Sequence, residues 1–554
     1  MPENVRAWHY MVRGYSMTEQ TSKQSDQVLF DVMVIGAGIN GAGIARDAAM
    51  RGLKVLLLDK GDVGSGTSSW STRLIHGGLR YLEHGEVGLV RESLRERETL
   101  LYIAPHLVRP LPILFPIYKH ARRGRWTILA GMAAYDLLSF DKSLPRHRML
   151  SRVEALDQAP GLEPQGLVGA AIYFDAQVEF AERLVLENVL AAVDYGATVV
   201  TYAQVENFIV ERGLVQAVEF TRVLDGESCS ASADVIINAA GPWVDELLDK
   251  SGGNPQRLIG GTKGSHVIVA AFSGAPATAL YVEGRTDGRP FFIIPWNGQY
   301  LIGTTDIRYQ GDLDHVRIEN QEIDYLLDET NRLIPTAKLS RGQVLYAYSG
   351  VRPLAFTCDK DEQSITRRHF IREHPSRHNL LSIVGGKLTT YRKLAEQAVD
   401  QIFRKLERRS PRCTTAQVPL PGAATNDFAR FCKEFNVASG LPSPVNDRWL
   451  RIFGTRSSEL LNLIADAPSL AEVFDVETGA TAVELVFAFQ HELAQTLADC
   501  LLRRTMVGLN SANGLNAVSA AARIARKHLG WSDGLLDEQL ADYRNQVAQF
   551  RLTD

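Results

Sequence analysis

The stretch VLFDVMVIGAGINGAGIARDAAMRGLKVLLLD, residues 28–59, constrains this chain more than any other part of it. Its first run is nearly continuous in apolar residues, as a strand buried on both faces of a parallel sheet must be. Gly36, Gly38 and Gly41 follow at once and open a helix that Gly52 ends, and KVLLLD reads as a second strand. This is a βαβ unit carrying the G-x-G-x-x-G turn. The first glycine permits the tight turn, the second lets backbone approach a pyrophosphate, and the third lets helix pack on strand. The helix N-terminus offers free N–H groups to the anion. Asp59 closes the second strand about 20 residues on, placed for a ribose hydroxyl. A dinucleotide is the expected ligand.

The turn alone does not separate NAD from FAD, because both carry the same ADP half. The next segment, GSGTSSWSTRLIHGGLRY (64–81), is rich in hydroxyls and flexible backbone and has no periodic apolar face. Such a segment suits the rest of an extended cofactor, down to its ring. No second glycine fingerprint accompanies it, as one often does where NAD(P)H reduces a flavin. The chemistry leans to FAD.

Two more strand-turn-helix patterns appear, at DVIINAAGPWVDELLDK, with Pro242 suited to a first helical position, and at NLLSIVGGKLTTYRKLAEQ, with Gly385 and Gly386 in the turn. Between them, FFIIPWNGQYLIGTTD sets two apolar runs around Asn297-Gly298, a strong hairpin signal. The fold expected is α/β: a Rossmann-like FAD-binding domain (28–110, 150–261 and 346–408), interrupted by an antiparallel-sheet substrate domain. The inserted, membrane-facing region is expected over 111–149 and 262–345. A linker over 409–446 leads to an all-helical domain over 447–554. Residues 1–27 lack a signal-peptide apolar core and read as a disordered extension.

The net charge of -4 argues against nucleic acid as a partner. The five cysteines (Cys229, Cys358, Cys413, Cys432, Cys500) form no C-x-x-C pair, so neither a redox pair nor a metal site is expected. No run reaches the roughly 18 apolar residues of a membrane-spanning helix.

GAGINGAGIARDAAMRG, TSSWSTRLIHGGLRYLEHGE, NAAGPWVDE, KGSHVIV, IPWNGQYLIGTTD, YSGVRPL and VGGKLTTYRKLAE together resemble the FAD-dependent glycerol-3-phosphate dehydrogenases, bacterial respiratory type. The resemblance runs from residue 30 to about 550, with Asp59 where many relatives carry Glu. It implies oxidation of sn-glycerol 3-phosphate to dihydroxyacetone phosphate by hydride transfer to FAD. Electrons would pass to ubiquinone, the protein being cytoplasmic and peripherally bound to the inner face of the cytoplasmic membrane, with a homodimer as one assembly it leaves open. Alternatives are a glycerol-3-phosphate oxidase using oxygen and an amine or amino-acid oxidase of related fold.

Cofactor contacts are expected at Gly36, Gly38, Ile39, Asn40, Gly41, Asp59 and Lys60, at Thr67, Ser68, Ser69, His76 and Gly77, at Gly241, and at Gly385, Gly386, Lys387, Leu388 and Thr389. Lys387 and the helix dipole behind it would favour the charge that develops on hydride uptake. Thr389 and Thr390 are candidates to cap that helix or to bond the ring carbonyls.

A phosphate dianion needs fixed positive charge, and Arg matches its geometry. The resemblance points to Arg352 and Arg367 and, more weakly, Arg80, with Thr304 and Thr305 shaping the pocket. Loss of the hydroxyl proton calls for a base, and His266 is the expected one, with Arg352 and Lys387 completing the catalytic set. A hydroxide activated by Arg is the competitor.

Lys119, Arg122, Arg123 and Arg125 precede a mostly apolar run with Trp126 at its boundary, the pattern of a helix lying on a membrane surface.

Overall fold

The computed structural model describes residues 29–82, 85–252, 256–285, 287–357 and 367–552. The expected extension over 1–27 and Cys358 lie outside the described residues.

The first sheet is the nucleotide domain. Its parallel strands run in the spatial order Arg377–Val384, Ser228–Asn238, Leu29–Ile35, Val55–Leu58, Thr198–Val200. The chain moves outward one way from Leu29–Ile35 to Thr198–Val200, then returns on the other side through Ser228–Asn238. The switch point lies between Leu29–Ile35 and Ser228–Asn238, where such sheets open a crevice at their carboxyl ends. Helix Ile39–Met50 covers the sheet and is itself covered by helices Ala181–Asp194 and Tyr391–Lys405. Its inward residues are small, and a Cβ on Gly43 would lie 2.7 Å from the Tyr391 ring, so alanine and glycine set the close approach.

The second sheet has ten strands and is mixed. Thr262–Val269 lies between Gln299–Gly303 and Val344–Arg352, antiparallel to both. The hairpin expected at Asn297-Gly298 joins Pro290–Trp296 to Gln299–Gly303, with both turn residues at positive φ (50° and 73°), as a two-residue turn requires. The inserted sheet is larger than expected. Strand Leu167–Val178, placed by sequence in the nucleotide domain, pairs instead with Val108–Tyr118 of this sheet, and Arg148–Ser151, at the expected boundary, pairs with Leu167–Val178. Pro110, Pro112 and Pro116 fall at alternate positions of Val108–Tyr118 and so face one side of it. The neighbour Ala279–Glu283 meets this strand only at Ile113 and Leu114, which is how a strand tolerates three missing donors.

The helical part begins earlier than expected. Helix Phe428–Ala438 lies within the expected linker and Ser443–Ile452 begins in it, with Phe428, Phe431 and Phe435 stacked along one face. The part also contains a short hairpin, Val473–Asp475 with Ala480–Thr481, so it is not all-helical. Among the described residues no helix is long and apolar enough to cross a membrane.

Candidate active site

A cavity of about 810 Å³ runs from the switch point of the first sheet, at Gly36, Gly38 and Ala240, to Gly264, His266 and Arg352 of the second. Its two ends have different chemistry.

The nucleotide end is built by glycine. Gly36 has φ +109°, and a Cβ there would lie 2.5 Å from the Ala239 carbonyl; a Cβ on Gly41 would lie 1.8 Å from the Gly36 carbonyl. No other residue fits either place. Asp59 braces the turn, accepting from the backbone N–H groups of Ala37 (2.5 Å) and Gly61 (2.8 Å). Burial pushes its carboxyl up to about 6, and those two N–H groups restrain the rise. Lys60 pairs with Asp314 and lies 4.4 Å from the centre of the Trp243 ring. The Asn40 side chain donates to the Gly385 carbonyl (3.2 Å), while its Oδ1 is buried beside the cavity without a partner. A glycine cradle, a helix N-terminus, an acid at the strand end and an orphaned buried acceptor together fit a dinucleotide such as FAD.

The hydroxyl-rich segment lies along the cavity, but not every hydroxyl faces it. Ser68 Oγ accepts from Ile39 N–H (3.0 Å), and Thr67 Oγ1 donates to the Val351 carbonyl (2.7 Å). Ser69 turns inward and donates to the Gly64 carbonyl (2.6 Å), so it does not line the cavity as expected. Gly77 also lies behind the wall: a Cβ would meet Tyr135 Oη at 2.4 Å, so packing requires this glycine. Gly41 packs against the turn rather than lining the cavity. Gly241, Gly385, Gly386 and Leu388 do line it. His76 lines it too, its backbone N–H donating to Thr389 Oγ1 (3.1 Å); burial and then the cations Lys387 and Arg367 carry its imidazole down to about 4, against Asp175. Thr390 stands at the start of helix Tyr391–Lys405, but its side chain makes no cap bond there.

Lys387 donates to Ser93 Oγ (2.7 Å) and lies 4.7 Å from the centre of the Tyr81 ring. Burial brings its ammonium down to about 7, although Glu92 and Glu86 favour the charged form.

The other end is cationic. Arg352 donates to Asp306 Oδ1 (3.0 Å), to Thr304 Oγ1 (3.0 Å) and to the Thr305 carbonyl (3.3 Å), and Arg367 donates to Asp306 Oδ2 (3.1 Å). Arg289 donates to the Asp306 carbonyl. Three guanidinium groups thus meet on one aspartate, two on its carboxylate and one on its backbone carbonyl. Burial would raise Asp306, yet Arg352 and Arg367 hold it below the usual carboxylate range. Thr304 lines the cavity, whereas Thr305 is turned away and donates to Glu322 (2.6 Å). The side chain of Arg80 lies outside the described residues.

His266 is 1% exposed, and its Nε2 sits 2.9 Å from Thr72 Oγ1 while Nδ1 has no partner. Burial, then Arg352 and Arg73, hold the imidazole well below its ordinary pKa. The ring is therefore held in its neutral form. Sequence reasoning missed Asp306, Arg289 and Thr72. Asp306 directly follows the Thr304-Thr305 pair, and that adjacency was the available signal. Among the described residues no group of three or more His, Cys, Asp or Glu could hold a metal ion.

Residues 31–392 match the family model of the FAD dependent oxidoreductases, and residues 413–534 match that of the C-terminal domain of alpha-glycerophosphate oxidase. A glycerol-3-phosphate dehydrogenase from Synechocystis is 46% identical over 95% of this chain and 97% of its own length. An aerobic glycerol-3-phosphate dehydrogenase from Staphylococcus haemolyticus is 34% identical over 86% of each chain. Among solved structures, the glycerol-3-phosphate dehydrogenase from Bacillus halodurans, complexed with FAD, superimposes with a TM-score of 0.77 at 28% identity, covering 95% of this chain and 97% of its own.

Proposed function

The chain belongs to the FAD-dependent oxidoreductase family, among its glycerol-3-phosphate dehydrogenases, and from that premise we propose that it oxidises sn-glycerol 3-phosphate to dihydroxyacetone phosphate and passes the electrons to ubiquinone. The observation that carries this reading is the convergence of Arg289, Arg352 and Arg367 on Asp306 at the end of the cavity remote from the glycine turn. A phosphate dianion matches such a site, since guanidinium donors form paired, charge-assisted bonds to it. An amine or amino-acid oxidase would need one carboxylate clamp and an apolar cage instead.

Bound in the cavity, FAD would supply the hydride acceptor for the carbinol carbon. Gly36, Gly38, Ile39 and Asn40 would hold its pyrophosphate, Asp59 its ribose, and Gly385 to Thr389 its ring end. The protein supplies the rest. The arginines fix the phosphate and so orient the alcohol. His266, neutral at working pH, takes the hydroxyl proton as the carbonyl forms. Lys387 would favour negative charge developing at the ring end of the cavity.

Access to a lipid-soluble acceptor calls for a membrane contact. Helix Arg125–Leu138 buries Ile128, Met132 and Tyr135, and its opposite face carries Trp126 (78% exposed) and Leu137 (73%), continued by Phe140 (74%). Exposed Lys119 and Arg122 precede this helix in the chain, and exposed Arg146 and Arg148 follow it. An apolar stripe with basic flanks suits the surface of an anionic bilayer. Two of the four cations read from sequence serve the fold instead: Arg123 pairs with Glu283, and Arg125 reaches the Leu150 carbonyl (3.5 Å).

A second reading, glycerol-3-phosphate oxidase, is favoured by the match of residues 413–534. Steady-state turnover separates the two. The dehydrogenase reading expects dihydroxyacetone phosphate to form with a ubiquinone analogue and oxygen uptake to stay near background. Turnover that proceeds equally well with oxygen alone would sink it in favour of the oxidase.

A further inference from the structure

The C-terminal domain forms part of the cavity wall, through Leu502, Arg503, Gln546, Gln549 and Phe550. It meets the nucleotide domain on residues 61–73, the segment that runs along the cavity. Asp62, fully buried, accepts from Arg503 Nε (2.5 Å) and from both Nη atoms of Arg504 (2.7 Å each). A few residues on, the Phe550 ring lies 4.9 Å from that of Trp70. The Phe550 backbone is fixed as well, its carbonyl accepting from Ala347 N–H (2.8 Å) in the strand that ends at Arg352.

From Trp70 two routes reach His266. The Trp70 ring lies 5.5 Å from that of Tyr348, which lies 4.9 Å from the His266 imidazole. Along the backbone, Tyr348 Oη donates to the Ser71 carbonyl (3.0 Å), and the next residue, Thr72, holds His266 Nε2 at 2.9 Å. Phe550 is 6% exposed and closes this aromatic stack from outside.

We propose that the C-terminal domain works as a wall of the catalytic cavity, and that Phe550 is a positioning residue that sets the His266 imidazole through Trp70, Tyr348 and Thr72. This rests on the reading of His266 as the base. Interiors are close-packed, so removal of one ring lets its neighbours move. A displacement of about 1 Å at a reacting group costs on the order of 100-fold in rate. The effect belongs in the chemical step, because the ring contacts of Phe550 lead through Trp70 and Tyr348 to His266.

The test is anaerobic stopped-flow bleaching of the flavin by sn-glycerol 3-phosphate, with full-length, FAD-loaded protein. In Phe550→Ala the limiting rate is expected to fall roughly 10- to 100-fold. Substrate Kd and FAD content should stay within about twofold of wild type, and Phe550→Leu should recover most of the rate. If the alanine variant does not fold, Phe550→Leu and Phe550→Met carry the test: each is expected to keep a limiting rate roughly two- to threefold below wild type at unchanged Kd. A wild-type limiting rate in the folded variants overturns the proposal. So does a loss confined to Kd or to FAD retention, which would make Phe550 purely structural. Failure of wild type itself to bleach overturns the functional reading, and this proposal with it.

Discussion

Asp306 accepts a hydrogen bond from Arg352 at 3.0 Å inside the cavity, so the chief candidate for phosphate recognition already sits on an anion of the chain's own. The contact fixes the guanidinium plane before substrate arrives, and Arg367 is fixed by the other carboxylate oxygen. Arg352→Ala removes one charge-assisted partner of the phosphate and leaves Asp306 with a single guanidinium on its carboxylate. The expected cost is about 2–5 kcal/mol in binding sn-glycerol 3-phosphate, with FAD content unchanged and turnover of unphosphorylated glycerol little affected. Comparing kcat/KM for the two substrates checks this. Equal losses on both would remove Arg352 from the phosphate site.

Arg289→Met is a second test of the cationic end, on a residue the motifs did not single out. Its guanidinium donates to the backbone of Asp306, so the variant should raise KM for sn-glycerol 3-phosphate by roughly tenfold or more, one charge-assisted bond being about 1.5–3 kcal/mol. An unchanged KM would confine Arg289 to bracing the turn.

Lys387→Met should lower the midpoint potential of the bound flavin. The lysine is protonated below about pH 7 in the folded protein. The gap between wild type and variant should therefore be widest below that pH and narrow above it. Spectroelectrochemical titration at two pH values on either side of 7 measures the gap, and equal potentials throughout would contradict the role.

His266 bears on acid stability. Burial holds its folded pKa far below the ordinary histidine value, so the unfolded chain binds a proton that the folded protein does not. His76 behaves alike, with a folded value of about 4. The stability tied to each neutral ring is present above about pH 6.5 and falls by about 1.4 kcal/mol per pH unit below it. Denaturant midpoints from pH 7 to pH 5 should show this slope, and His266→Gln should shallow it. An unchanged slope in the variant would mean that His266 titrates normally.

Trp126→Ser with Leu137→Ser should weaken sedimentation with anionic vesicles and lower activity with membrane quinone, while activity with a soluble dye survives. Both side chains are exposed, so the fold should tolerate the change within about 0.5 kcal/mol. Parallel loss of both activities would show instead that the stripe supports the fold.

The nucleotide domain was legible because its signals are local: strand, glycine turn, helix and closing acid follow one another within residues 29–59. The Asn297-Gly298 hairpin was legible for the same reason. What escaped is carried by register over long separations. Leu167–Val178 was misplaced because its partner, Val108–Tyr118, contains prolines that hide a strand. The expected linker holds a helix whose Phe428, Phe431 and Phe435 recur at helical spacing, but prolines on either side masked that period. The Asp306 hub needs Thr262 paired to Arg352 and Arg308 before its residues meet, and no local pattern records that pairing. Phe550 beside Trp70 is further still from anything a motif can show.

The central claim is that this flavin oxidises a phosphorylated secondary alcohol, and an anaerobic titration of the purified yellow protein tests it most directly. Absorbance of the oxidised flavin is followed as sn-glycerol 3-phosphate, glycine or sarcosine is added in separate cuvettes. The account predicts bleaching by sn-glycerol 3-phosphate alone, with dihydroxyacetone phosphate recovered in proportion to the flavin reduced. Bleaching by glycine or sarcosine, with none by sn-glycerol 3-phosphate, would contradict it.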